Sequence, residues 1–255
     1  RRFDFPSAVL NALTFGLFIG CVEAFSHGLS FRWIVAGVVL LAGIGTVFVR
    51  RQLRQPYPML PFDLLRIPVF SLSVLTSILS FTSQMLGMVA LPFMFHLTFG
   101  MNAAETGLLM TAWPLVIVVA GPLAGTLATK IHPGLLGGVG LLVMSVGCFL
   151  LADVSPSVGY GGLGARLMLC GFGFGLFQSP NNHLLLSSAP SYRTGGASGM
   201  QATARLVGQT TGAALVALLF YLNGDRAPHA AMWLAGGFTL CGSLVSCSRL
   251  RAHRF

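Results

Sequence analysis

Eight long apolar runs separated by short polar stretches organise the chain: Ala8–Phe25, Trp33–Val49, Val69–Leu91, Thr106–Ala128, Leu135–Ala152, Leu163–Leu186, Ala197–Leu222 and Ala230–Ser248. Each approaches the roughly 20 residues that a helix needs to cross a bilayer. The runs are continuous rather than alternating. In lipid only helices and closed barrels satisfy every backbone polar group, so the pattern predicts helices throughout. The longest hydrophilic connection, 50–68, carries Arg50, Arg51, Arg54, Pro56, Pro58, Pro61, Asp63 and Pro68. It divides the chain into a helical pair (1–49), a linker (50–68) and a six-helix unit (69–255). Six helices suggest two three-helix units, as in transporters built from repeats, although no residue-level repeat is visible.

Composition narrows the class. Of 255 residues, 55% are hydrophobic and 8% charged, against about 25% charged in soluble domains. With a mean hydropathy of +0.81, a soluble fold and a disordered chain are both excluded, leaving an all-α polytopic membrane protein. The net charge of +9 encodes topology. Arg1, Arg2, Arg50, Arg51, Arg54, Arg66, Lys130, Arg193, Arg249, Arg251 and Arg254 fall on one side. Only Arg32 and Arg226 fall on the other, and Arg166 and Arg205 lie within spans. The basic side is expected to be cytoplasmic and to hold both chain ends, so no nucleic-acid partner is expected. The chain opens Arg1-Arg2-Phe3-Asp4 without the layout of a signal peptide. It is expected to be a piece of a longer protein.

Candidate chemistry concentrates in two late spans. The sixth holds Gly171, Gly173 and Gly175, then Gln178-Ser179-Pro180-Asn181-Asn182-His183. The glycines admit close neighbours and the proline favours a kink. The carboxamides read either as a cavity wall or as hydrogen bonds between helices; His183 reads as solvated. The seventh span holds Arg205, whose burial at mid-membrane costs ~2.5–3.5 kcal/mol before snorkelling. Gly208 and Gly212 follow, and Gly121 and Gly125 repeat that spacing in the fourth span. Both pairs are expected to form helix-packing seams. Gln84, in the middle of the third span, is a further cavity candidate. Glu23 and Glu105 read as interfacial, and Asp4, Asp63, Asp153 and Asp225 as loop or end residues. The five Cys (Cys21, Cys148, Cys170, Cys241, Cys247) read as small buried hydrophobes, and no metal site or cofactor is expected. No mid-span His or Asp sits ready to activate a serine, and no phosphate-binding Gly-Lys loop is present. Catalytic residues are therefore not assigned, and an enzyme is not expected.

Several long stretches carry a resemblance. They are Arg2-Phe3-Asp4 with 7–16, Asp63-Leu64-Leu65-Arg66-Ile67-Pro68, the run 170–183, Gly195-Gly196-Ala197-Ser198-Gly199-Met200, and Ala204-Arg205-Leu206-Val207-Gly208-Gln209-Thr210-Thr211-Gly212-Ala213-Ala214. Through these the chain resembles the C-terminal part of a major facilitator superfamily transporter, within the fourteen-span drug:proton antiporter family. The resemblance implies that 1–49 is the extra central pair and 69–255 the C-terminal six-helix domain. It implies that the first helix of each three-helix unit lines the cavity, which points to Gln84, Gln178, Asn181 and Asn182, with Arg205 as an electrostatic or gating residue. The loop Gly125-Thr126-Leu127-Ala128-Thr129-Lys130 resembles a decayed family loop, with Thr129 in place of its acidic residue. The implied activity is proton-driven export of hydrophobic or cationic drugs from the bacterial inner membrane by alternating access. Its implied partners are a small-molecule substrate, protons, the lipid bilayer and a missing N-terminal six-helix domain. The alternatives are export of a metabolite or siderophore, and a non-transporting membrane component.

Overall fold

The computed structural model describes residues 31–54, 63–155 and 157–252, with isolated positions between 6 and 20. Helix α1 (Phe31–Arg54) covers the second expected span. The first span, Ala8–Phe25, and the 55–62 part of the linker lie largely outside the described residues. Pro68 opens α2 (Pro68–Phe99), where its missing N–H costs nothing. That helix ends at Gly100, whose φ of 65° is left-handed. The Gly100 and Met101 N–H groups donate to the carbonyls of His96 and Phe95, both at 3.1 Å, satisfying the last turn. Asn102 then caps α3 (Ala103–Met110). Its Oδ1 accepts from the Glu105 N–H and Glu105 Oε2 accepts from the Asn102 N–H, both at 2.9 Å, a reciprocal box.

A break at Thr111 separates α3 from α4 (Ala112–Leu127), so the fourth expected span is two helices. Then come α5 (Pro133–Ala152), α6 (Tyr160–Ser187), α7 (Thr194–Asn223) and α8 (Ala227–Ala252). The described residues contain no strand. Among them, five helical stretches are long and apolar enough to cross a membrane; the last, Ser191–Leu250, holds both α7 and α8. This is an all-α polytopic membrane fold.

Apolar side chains face outward as well as inward, as expected where the surrounding solvent is lipid. On α5, Leu135, Val139, Leu142, Val146 and Leu150 form an exposed stripe at helical spacing, while Leu141, Met144, Cys148 and Leu151 on other faces are buried. Cys148 and Cys170 are buried as expected. Cys241 instead lies on an exposed face and Cys247 is half-buried.

The packing scheme carries the internal repeat that the residues hide. Helix α2 packs on α7 and α8, α6 packs on α4 and α5, and α5 packs on α8. Exchanging α2 with α6, α4 with α7 and α5 with α8 reproduces this scheme, the mark of two equivalent three-helix units. The central helices α2 and α6 touch each other, while α4 and α7 stand at the two edges.

The three alternating glycines of α6 divide their work. A Cβ on Gly171 would fall on the Trp113 carbonyl, and one on Gly175 would lie 2.6 Å from the Ala120 Cβ, so this pair admits α4. A Cβ on Gly173, on another face, would lie 2.5 Å from the Gly140 carbonyl of α5. Trp113, fully buried, wedges between α4, α6 and Gly87 of α2.

Candidate functional site

Two stripes on α7 set the geometry of the site. Gly208 and Gly212 lie against α2: a Cβ on either would come within 2.7 Å of the Ile78 or 2.6 Å of the Thr82 carbonyl. This close approach has room only for hydrogen at both positions. Next to this seam, Gln201, Arg205 and Gln209 follow one another at four-residue spacing on a single face. The seam holds α7 so close to α2 that the Arg205 guanidinium carbon lies 5.7 Å from the centroid of the Phe81 ring.

From the other side α6 presents Gln178 and Asn182, also one turn apart. Between α6 and α7, beside Phe81, is a cavity of about 550 Å³ lined by these side chains. That volume suits a drug-sized molecule. Its polar lining consists of one guanidinium, carboxamides and a serine, with no carboxylate among the described lining residues. The structure thus brings together Gln178, Asn182 and Arg205 of the expected set. It adds Gln201 and Gln209, whose spacing to Arg205 was the available signal.

Three expected placements differ. Asn181 does not line this cavity: it is buried on another face of α6, one residue after Pro180. Its Nδ2 donates to Ser77 Oγ at 2.8 Å, and its Oδ1 accepts from the Arg249 guanidinium at 2.8 Å. Gln84 is half-buried on α2, one turn beyond Phe81, and is not part of the cavity lining. Gly121 and Gly125 do not form the expected seam. A Cβ on Gly121 would meet nothing within 4 Å, and one on Gly125 only Ser179 Oγ at 3.9 Å. The close approach of α4 to α6 uses the glycines of α6 instead.

The partner of Asn181 is not legible in the sequence. Arg249 looks like one of many loop charges, yet it is buried inside the helix bundle. It donates to Ser73 Oγ on α2 at 3.1 Å, to Asn181 on α6, and to Ser246 on its own helix α8. Ser246 Oγ in turn donates to the Gly134 carbonyl of α5 at 2.8 Å. One guanidinium therefore ties four helices at the basic end of the bundle. Hydroxyls at Ser243 and Ser246 opposite Gly134, Gly137 and Gly138, with Ser73 and Ser77 on α2, are its trace in the sequence.

At that same end, Arg193 pairs with Asp63 at 2.6 Å, linking the turn before α7 to the turn before α2. At the opposite end Tyr160 donates to Glu105 Oε1 at 3.1 Å, beside a second, mainly apolar cavity of about 500 Å³. There Glu105 is already engaged as a helix cap. Among the described residues no group of three His, Cys, Asp or Glu is placed to hold a metal ion.

Comparison with known proteins agrees with this architecture. The chain is 50% identical over 253 residues to the uncharacterized transporter YebQ of Escherichia coli (strain K12), covering 99% of this chain and 55% of that protein. It is 28% identical over 225 residues to the multidrug efflux pump LfrA of Mycolicibacterium smegmatis, covering 86% of this chain and 43% of the pump. It is 25% identical over 224 residues to the riboflavin transporter RibZ of Clostridioides difficile, covering 86% and 47% respectively. The chain thus spans about half the length of the curated relatives it matches, and their names are those of transporters, not enzymes. The Major Facilitator Superfamily description matches residues 7–213 and 73–253, and the chain belongs to that family.

Proposed function

We propose that this chain is one half of a bacterial inner-membrane exporter that moves small hydrophobic molecules outward by alternating access, driven by proton entry. The observation that carries the reading is the cavity between α6 and α7, the first helix of one three-helix unit and the second of the same unit, with α2 of the other unit as its third wall. Alternating access needs two domains rocking about a shared site. The edge helix α4 exposes Leu115, Val118 and Val119 on one side. A second six-helix domain, N-terminal to this chain, would close against that side. In this reading 69–255 is the C-terminal domain and 1–49 the central pair. The basic end of the bundle faces the cytoplasm.

Export of drugs is suggested by LfrA, and a metabolite cargo by RibZ. No carboxylate among the described residues faces the cavity, so the proton carrier is assigned to the other half. The test is dye retention in pump-deficient bacteria expressing the intact gene, using neutral Nile red and cationic ethidium. Reduced retention of either dye that a protonophore restores supports the reading. Unchanged retention of both, with the protein present in the membrane, overturns drug export and shifts the assignment to a narrow metabolite exporter.

A further inference from the structure

We infer that the cavity between α6 and α7 selects molecules bearing an anionic group, a carboxylate or its equivalent, and that Arg205 is the residue that receives it. The inference rests on the cavity being a substrate site, and it names the charge of the substrate.

Three observations carry it. Arg205 is exposed to the cavity and makes no ion pair among the described residues. Its guanidinium carbon lies over the Phe81 ring. A cation–π contact uses none of the guanidinium N–H groups as conventional hydrogen-bond donors, so they remain available to a planar two-oxygen acceptor. The other polar groups around it, Gln178, Asn182, Gln201 and Gln209, are carboxamides that donate to anion oxygens without adding charge. A cation entering this cavity would meet a fixed positive charge and no compensating carboxylate among the described lining residues. An anion would gain charge-assisted hydrogen bonds in a setting of low dielectric constant. Phe81, with the aliphatic Leu206 nearby, supplies apolar surface for the body of an aromatic acid. The expectation of a cationic drug is therefore not supported by this wall.

The experiment measures equilibrium binding of three matched probes, naphthoate, naphthalenemethanol and naphthylmethylamine, to the purified intact protein and to its Arg205→Gln and Arg205→Lys variants. The expected result is naphthoate binding about tenfold more tightly than the amine. Arg205→Gln should erase that preference by weakening naphthoate binding far more than naphthalenemethanol binding, and Arg205→Lys should retain part of the preference. Equal or tighter binding of the amine, absence of naphthoate binding, or a preference that survives Arg205→Gln would each overturn the inference. Dye efflux from cells is read separately. Naphthoate binding through Arg205 without dye efflux would sink the drug-export reading and leave this one standing. Efflux without any anion preference would do the reverse.

Discussion

The Arg249 guanidinium donates to Asn181 Oδ1 across 2.8 Å, joining α8 to α6 one residue beyond Pro180. A proline within a helix removes a backbone hydrogen bond, so this is where α6 most needs an outside support. Because Asn181 also donates to Ser77, its carboxamide is committed on both sides. Its neighbour Asn182 faces the cavity instead. Adjacent asparagines thus serve two different purposes.

That division predicts opposite phenotypes. Asn181→Ala should lower the melting temperature of the purified intact protein, since it strands buried partners at a cost of about 1–3 kcal/mol. Asn182→Ala should leave melting and abundance unchanged and alter which compounds are exported. Fluorescence-detected melting and an export profile of both variants check this. Equal melting temperatures for the two would remove Asn181 from the structural network.

Arg249→Met keeps much of the side-chain volume but removes every donor. It should destabilise the protein by a similar amount, with Arg249→Lys intermediate, because a single ammonium cannot reach Ser73, Asn181 and Ser246 as a fork does. A melting temperature for Arg249→Met equal to that of the parent would contradict the four-helix tie.

The two glycine pairs should respond differently. Gly208→Val or Gly212→Val drives a side chain into the backbone of α2 and should cost about 1–3 kcal/mol or more. Gly121→Ala meets nothing within 4 Å inside this half of the protein and should be far milder than either valine. The folded fraction recovered by size-exclusion chromatography distinguishes them.

Removing the two halves of the Asp63–Arg193 pair should not be equivalent. Asp63 is exposed while Arg193 is buried. Asp63→Asn should cost at most about 1 kcal/mol, whereas Arg193→Ala also loses packing beneath α7 and should cost more. Melting of the two variants at low and high salt checks the order.

Arg205→Ala should abolish export while the protein inserts and accumulates normally, because Arg205 is exposed to the cavity rather than holding the bundle together. Unchanged export would remove it from the site.

Much of this was legible in the sequence because lipid imposes simple rules. Continuous apolar runs had to be helices, and the spacing of Gly208 and Gly212 suits the close approach of a neighbour that the structure shows there. The failures share a physical origin. Spacing tells which side chains share a face, but not which face meets which helix. Gly121 and Gly125 have the spacing of a seam, yet the neighbouring helix supplies its own glycines there. Arg249 sits at the end of an apolar run, where a solvated charge and a buried one look alike. Only Ser73 and Asn181, brought in from elsewhere in the chain, distinguish the two. Gln178, Asn182 and Arg205 stand out in the sequence because polar groups deep in apolar runs are costly. Gln201 and Gln209 were missed because they lie among other small polar residues.

The most direct measurement is the rate at which a membrane-impermeant maleimide labels Gln201→Cys in everted vesicles containing the intact protein with Cys241→Ser, with and without a compound the cells export. If the cavity between α6 and α7 is the transport path, that compound should slow labelling of Gln201→Cys and leave Tyr192→Cys, exposed outside the cavity, unaffected. Labelling of Gln201→Cys that proceeds equally fast in the presence of the exported compound would contradict the account.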